Sequence, residues 1–201
     1  MANLDRPAGF KPVKHLSGAP WNGKANIYYI PATDNTDTFI GDAVTLQGSA
    51  TEDGKFPTVA QAAAGDTTIV GVIIGFGTNP EVMGNHDNLN MVYREGGTAM
   101  YCLVVDDPFV IFEIQEDSAN DSYIAAASIG LNTNIVVGSG STTTGKSGME
   151  LDSSDVSTDT AGQCKLLRIV NRVDNELGIH CKWEVLIVEH AFRDGITATD
   201  I

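Results

Sequence analysis

The sequence predicts an all-β protein, a compact antiparallel β-barrel or β-sandwich with an extended N-terminal arm and few short helical turns. The first observation is composition: 18 threonines and 21 glycines among 201 residues favour strands and turns over helices. The second is that short runs rich in Val, Ile, Tyr and Phe alternate with Gly, Asp, Asn and Pro along the chain. A chain of this length with 42% apolar residues can bury a core without disulfides.

Eight of these runs are predicted strands, enough for a sandwich or a barrel. They are Asn26 to Ile30, Ala43 to Gln47, Ile69 to Ile74, Ala99 to Val105, Phe109 to Gln115, Asn134 to Val137, Leu166 to Val173 and Cys181 to Val188. In the fifth run, Val110, Phe112 and Ile114 share one face and Glu113 and Gln115 the other, which indicates a half-buried strand.

The connection between the fourth and fifth runs is Asp106-Asp107-Pro108. Asp bonds readily to nearby backbone and Pro presets φ, so we expect a hairpin or a switch between sheets here. Helical turns are predicted only at residues 58–64 and 121–127.

Charge and composition divide the chain near residue 25. Residues 1–24 form the arm, with four Lys or Arg against one Asp, a net charge of +3. Because the whole chain has a net charge of −14, the body, residues 25–201, has a net charge of −17. Within the single β-rich body, residues 138–162 are dominated by Gly, Ser, Thr and Asp. They are predicted to form a surface excursion, with at most an irregular edge strand.

Prolines and glycines prevent a helix or a central strand from running through the arm, so we expect it to be extended. It nevertheless carries Phe10, Val13, Leu16 and Trp21, apolar side chains that a solvated tail does not need. Two arrangements remain open: the arm lies on a partner, or it packs on its own domain.

The motif with the strongest literal match is Gly140 to Ser147, which fits the phosphate-loop pattern G-x-x-x-x-G-K-[ST]. That loop binds phosphate by leading into a helix, and the residues after Ser147 lack a helical apolar stripe. We interpret the match as chance.

The sequence predicts neither an enzyme nor a cofactor or metal site. Candidate metal ligands occur as neighbouring pairs such as Glu189 and His190, whose side chains point to opposite faces of a strand. The odd number of cysteines (Cys102, Cys164 and Cys181) suits buried thiols in a reducing cytoplasm. The net charge of −14 disfavours direct nucleic-acid binding, and no apolar run approaches the length of a membrane span.

The opening of the chain resembles a known family. The residues that carry the likeness are Arg6-Pro7, Gly9-Phe10, Pro12-Val13, His15-Leu16, Gly18, Pro20-Trp21-Asn22-Gly23 and Tyr28-Tyr29-Ile30-Pro31. Further short stretches are Ile40 to Val44, Ala62 to Asp66, Gly71 to Ile73, Val105 to Pro108, Phe112-Glu113 and Phe192-Arg193. Together they resemble the capsid cement, or head decoration, proteins of tailed bacteriophages.

The resemblance implies a non-enzymatic virion protein, made in the bacterial host cytoplasm, that binds the outside of an icosahedral capsid. It would cement neighbouring major capsid subunits as a dimer or trimer on a local symmetry axis. The arm residues expected to contact the capsid are Arg6, Phe10, Lys11, Val13, Lys14, Leu16, Trp21 and Lys24. The basic residues would pair with acidic patches, Trp21 would fill a pocket on the shell, and a chain without residues 2–23 would still fold.

Two other functions stay open on the sequence. One is an outward-facing domain that binds glycans or a receptor through residues 138–162. The other is a β-fold hydrolase whose acidic site is assembled in space.

Overall fold

A computed structural model of the chain describes residues 3–77, 92–158 and 162–193. Within these ranges the fold is all-β, as predicted, with two 3₁₀ turns at Ala119–Asp121 and Ala126–Ser128. The strands are β1 (Lys11–His15), β2 (Asn26–Ile30), β3 (Ala43–Ala50), β4 (Pro57–Gln61), β5 (Ile69–Gly77), β6 (Met100–Val105), β7 (Val110–Gln115), β8 (Asn132–Thr133), β9 (Ile135–Gly138), β10 (Gly148–Leu151), β11 (Cys164–Ile169) and β12 (Lys182–Ile187). No helix in these ranges is long and apolar enough to cross a membrane.

Five strands close into a barrel in the order β2-β4-β3-β5-β6. All neighbours are antiparallel except β2 and β4, which run parallel and meet at Tyr29 and Thr58. Closure leaves none of these strands with an unpaired edge. The barrel encloses a small core of Tyr28, Ile30, Val44, Val59, Val70, Ile73, Cys102, Val104 and Ala191.

The second layer is an antiparallel sheet in the order β1-β7-β12-β11-β8, accompanied by the ribbon β9–β10. Side chains from this sheet, the ribbon and the barrel share the main core, which contains the fully buried Trp183. The arrangement is sandwich-like, so the predicted alternatives of barrel and sandwich are both present in one body.

The connection at Asp106-Asp107-Pro108 is a switch between sheets, because β6 belongs to the barrel and β7 to the sandwich sheet. Asp107 accepts the N–H of Phe109 on its side chain at 2.8 Å and the N–H of Val110 on its carbonyl at 3.1 Å. Asp107 thus caps the start of β7, and of the two predicted forms, a hairpin or a switch between sheets, the switch is confirmed.

The N-terminal arm packs on its own domain. Strand β1 pairs with β7, with Pro12 opposite Phe112 and a bulge between Pro12 and Lys14. Because β1 is the edge strand of the sheet, it tolerates Pro12, which has no backbone N–H to donate to a neighbouring strand. Phe10 lies in the main core, only 2% exposed, so the segment is integrated with the body despite its different charge.

The eight predicted runs each overlap a strand, but both predicted helical turns were wrong in detail. Residues 58–64 were expected as a helical turn and instead contain β4, because barrel closure outweighs the weak helix preference of the alanines. The predicted turn at 121–127 is reduced to the edges of two 3₁₀ turns. The excursion at 138–162 includes β10, whose Met149 and Leu151 are fully buried.

Candidate interaction surface

Two of the arm residues expected to contact the capsid are occupied within the molecule. Phe10 packs edge-to-face against Phe112, with ring centroids 5.8 Å apart. Lys14 forms an ion pair of 2.9 Å with Glu184, which also pairs with Arg168 at 2.8 Å. Burial alone would raise the pKa of Glu184, but the two cations outweigh it and lower that pKa. These side chains therefore stabilise the domain.

The remaining predicted contact residues, Trp21 apart, are exposed. They are Arg6, Lys11, Val13, Leu16 and Lys24. Three of them carry charge and two are apolar, Val13 being 37% and Leu16 50% exposed. The structure thus leaves the arm with a mixed cationic and apolar surface.

One exposed residue next to the arm was missed by the sequence analysis. Phe109, 51% exposed, lies opposite Leu16, whose N–H donates to the Phe109 carbonyl at 2.7 Å. Residues directly opposite in antiparallel strands place their side chains on the same face. The available signal was a large aromatic residue immediately after an Asp-Asp-Pro turn. We call the surface formed by Lys11, Val13, Leu16 and Phe109 the β1 corner.

The β1 corner lies at the outer side of the sandwich sheet. Lys11 is opposite Glu113, and Lys14 and Glu184 meet on the same side. Successive side chains of a strand point to opposite faces, so His15 and Val110 face inward where Leu16 and Phe109 face outward. The two faces of β1 consequently present different chemistry.

On the inward side, the arm borders a cleft of about 450 Å³, which we call the arm cleft. The arm and the start of β2 contribute His15, Trp21, Asn22, Lys24, Ala25 and Asn26, and the sheet switch contributes Val105, Asp106, Asp107 and Val110. Trp21 packs against the main core, and its Nε1 donates to the carbonyl of Lys24 at 3.3 Å. It lines a pocket of its own chain, contrary to the expectation that it projects into a pocket on a partner.

The carboxylates of the arm cleft are held in place by neighbouring groups. Asp106 accepts hydrogen bonds from Asn26 Nδ2 at 2.8 and 2.9 Å and from the Tyr28 hydroxyl at 2.8 Å. Burial, followed by the bond to Asp106, raises the pKa of Tyr28, so the hydroxyl stays a donor. Asp107 lies 3.1 Å from His15 Nδ1. Both carboxylates are therefore oriented by neighbouring groups and retain free lone pairs.

A group of potential metal ligands lies elsewhere, where Asp5, Glu150 and His180 bring one ligand atom each within 4.8 Å of one another. Sequence spacing gave no signal for it, because the three residues come from distant segments. Burial, then the charge of Asp5, raises the pKa of Glu150 to about 7. Gln115 Nε2 already donates to Asp5 and Glu150 at 3.0 Å each, so these oxygens have a partner without a cation.

The phosphate-loop match connects β9 to β10. It closes as a turn, with the N–H of Gly145 donating to the Ser141 carbonyl, and runs directly into the strand Gly148–Leu151. Since a strand follows, the loop has no helix N-terminus to hold a phosphate. The prediction that no helix follows Ser147 is confirmed.

The three cysteines are free and buried, as expected. Burial raises the pKa of Cys102 to about 12 and that of Cys181 to about 11, and it also raises the pKa of Cys164. A nucleophilic cysteine needs the opposite shift.

Comparisons of the chain with protein-family models, with curated proteins and with solved structures find no match.

Proposed function

We propose that this protein is a non-enzymatic structural protein of a phage virion that binds the outside of an icosahedral capsid. It cements neighbouring major capsid subunits and so stabilises the head. The observation that carries the proposal is the β1 corner, which places a lysine and two exposed apolar side chains, Leu16 and Phe109, on the outer side of the sheet, with the exposed Val13 in the adjoining bulge. The resemblance of the N-terminal residues to capsid cement proteins supports the same assignment.

The charge distribution suits such a contact. The arm carries +3 and the rest of the chain −17, so the arm is the region that can approach an acidic patch. The acidic body keeps the free protein soluble before assembly. Exposed apolar residues beside a cation give a contact an anchor, while the charge sets its orientation.

Cementing requires many modest contacts that act together. A shell repeats its binding sites by symmetry, and linked contacts gain from a high effective concentration. In this proposal the protein binds as a dimer or trimer on a local symmetry axis, with each β1 corner on a capsid subunit. No single site then needs high affinity.

The structure changes the experiment that tests the arm. Deleting residues 2–23 would remove Phe10 from the core and β1 from the edge of β7. Such a chain would lose binding through misfolding, so the expectation that it folds normally is withdrawn. Point substitutions in the β1 corner leave the core intact.

The test is cosedimentation with phage heads that lack the protein. The variants are the pair Leu16→Ser with Phe109→Ser, and Lys11→Glu alone. The matched controls are Val173→Ser, which alters an apolar residue 91% exposed elsewhere, and Lys146→Glu. We expect wild type and both controls to saturate the heads and the β1-corner variants to lose at least about 1.4 kcal/mol, a tenfold loss of affinity. Full occupancy by folded β1-corner variants would overturn the proposal.

A further inference from the structure

The arm cleft has one apolar wall. Trp21, Ala25, Val105 and Val110 line it, and the polar edge of Trp21 is satisfied by the carbonyl of Lys24. With its N–H engaged, the indole presents carbon surface to a ligand. The volume of about 450 Å³ lies within the range of about 300–1,000 Å³ typical of small-molecule clefts.

The polar wall offers donors and acceptors side by side. Asp106 and Asp107 are acceptors fixed by their hydrogen bonds, while Asn22, Asn26 and Lys24 bring amide and ammonium groups. A ligand made of hydroxyl groups matches this mixture, because each hydroxyl both donates and accepts.

The charges of the cleft narrow the ligand class. Asp106 and Asp107 outnumber Lys24 in the cleft, so an anion is repelled, whereas a cation meets one repelling group, Lys24. A neutral ligand meets no such repulsion and can bond to all three. We propose that the arm cleft binds a short neutral saccharide, with a sugar ring against Trp21 and its hydroxyls on Asp106, Asp107 and the asparagines.

The site is compatible with capsid binding but does not depend on it. His15 and Val110 line the cleft, whereas Leu16 and Phe109 lie on the opposite face of the same paired strands. A protein docked through its β1 corner therefore keeps the cleft free. This location differs from residues 138–162, where the sequence suggested a glycan contact.

The two tryptophans of the chain make the test specific. Trp21 lines the cleft, and Trp183 is buried, with its indole N–H donating to Glu116 at 3.3 Å. Nitrogen-15 correlation spectra of the full chain would be recorded with maltose, lactose and N,N′-diacetylchitobiose up to about 10 mM, enough to saturate a millimolar site. We expect at least one saccharide to shift the Trp21 indole signal saturably and to leave that of Trp183 unchanged.

Two variants locate the binding without touching the core. Asn22→Ala and Asp107→Asn should each weaken binding about tenfold, as for the loss of one hydrogen bond to a charged or amide group. Their matched controls, Asn171→Ala and Asp155→Asn, alter exposed residues outside the lining of the cleft and should bind like wild type. Unchanged binding by both cleft variants would overturn the proposed location.

Charged probes test the ligand class. Inorganic phosphate and Nα-acetyl-lysine amide would be titrated in the same way. Saturable binding of either one, with no response to the saccharides, would overturn the proposal in favour of a charged partner. No response of Trp21 to any probe would overturn it altogether. A protein that binds heads but no saccharide would refute the cleft assignment alone, and the reverse result would refute capsid binding alone.

Discussion

Two turn-rich segments of this chain, residues 3–24 and 138–158, both pack into the core and differ in the side chains that they expose. Both place side chains in the main core, Phe10 from the first and Met149 and Leu151 from the second. The second segment exposes mainly polar residues to solvent, such as the threonines at 142–144, whereas the first exposes lysines and apolar residues together. A partner surface is therefore indicated by the side chains that remain exposed after packing, because both segments also contribute to the core.

The two segments meet at one tight junction. The N–H of Phe10 donates to the carbonyl of Gly41, and the N–H of Ser147 donates to that of Ile40, both at 2.9 Å. Gly9 has φ +64°, and a Cβ there would overlap the Gly41 carbonyl and Ser147. The close approach of three chain segments is possible only because this position has no side chain.

The largest expected effect breaks this junction. Gly9→Ala should lower the free energy of unfolding by about 3 kcal/mol or more, because positive φ and a backbone overlap are combined. Gly18→Ala is the matched control: its φ is +91° but nothing lies within 4 Å of the added Cβ. That variant should cost about 1 kcal/mol. Urea unfolding measures both, and equal losses would contradict the role assigned to the junction.

The next effect compares the core contributions of the two segments. Phe10→Ala and Met149→Ala should each cost about 3 kcal/mol, since both remove a buried side chain and leave a cavity. The unfolding midpoint and slope in urea would be measured for each. A cost below about 1 kcal/mol for Phe10→Ala alone would mean that the arm detaches independently of the body.

The sequence was informative where packing follows local pattern. Val110, Phe112 and Ile114 alternate as expected and are all buried. The sequence prediction failed where barrel closure determines the secondary structure. Val59 is buried because β4 pairs with both β2 and β3, although the alanine-rich sequence around it favours a helical turn. Local propensity contains no information about which strands a segment will meet.

The interaction surface was predictable in the same uneven way. The arm was identified from its composition, and Lys11, Val13 and Leu16 are indeed exposed. The inward orientation of Trp21 was not, because it depends on packing against the main core. The pairing of Phe109 with Leu16 was not either, because it depends on the register of β1 against β7 and on the bulge in β1.

A pH effect involves Glu116, whose backbone pairs with that of Leu151 in the second segment. The Glu116 side chain is fully buried, and this burial raises its pKa to about 7. The pKa is raised although the backbone N–H of Ile124 and the indole N–H of Trp183 donate to the carboxylate. Between about pH 4.5 and 7 the folded chain keeps a proton that the unfolded chain has lost. Stability from this group therefore falls by about 3 kcal/mol as pH rises through that window.

The variant Glu116→Gln isolates this contribution, because its amide oxygen can accept the same two hydrogen bonds without titrating. Glu150, with its pKa also raised to about 7, acts in the same direction, and His190, lowered to about 4 by burial, acts in the opposite one. The difference between wild type and variant in unfolding free energy would be measured from pH 5 to 8. The contributions of Glu150 and His190 cancel in this difference because both chains contain them. A constant difference across that range would contradict the assignment.

The smallest expected effect on stability sharpens the comparison most. Leu16→Ser should change the free energy of unfolding by no more than about 0.5 kcal/mol, as for the exposed control Val173→Ser, because half of the Leu16 side chain is already in water. Thermal unfolding at matched pH would measure both. If Leu16→Ser is silent in unfolding yet reduces head binding, Leu16 acts through a partner. If it destabilises like Phe10→Ala, the β1 corner is part of the domain's own packing, and the distinction between the two segments disappears.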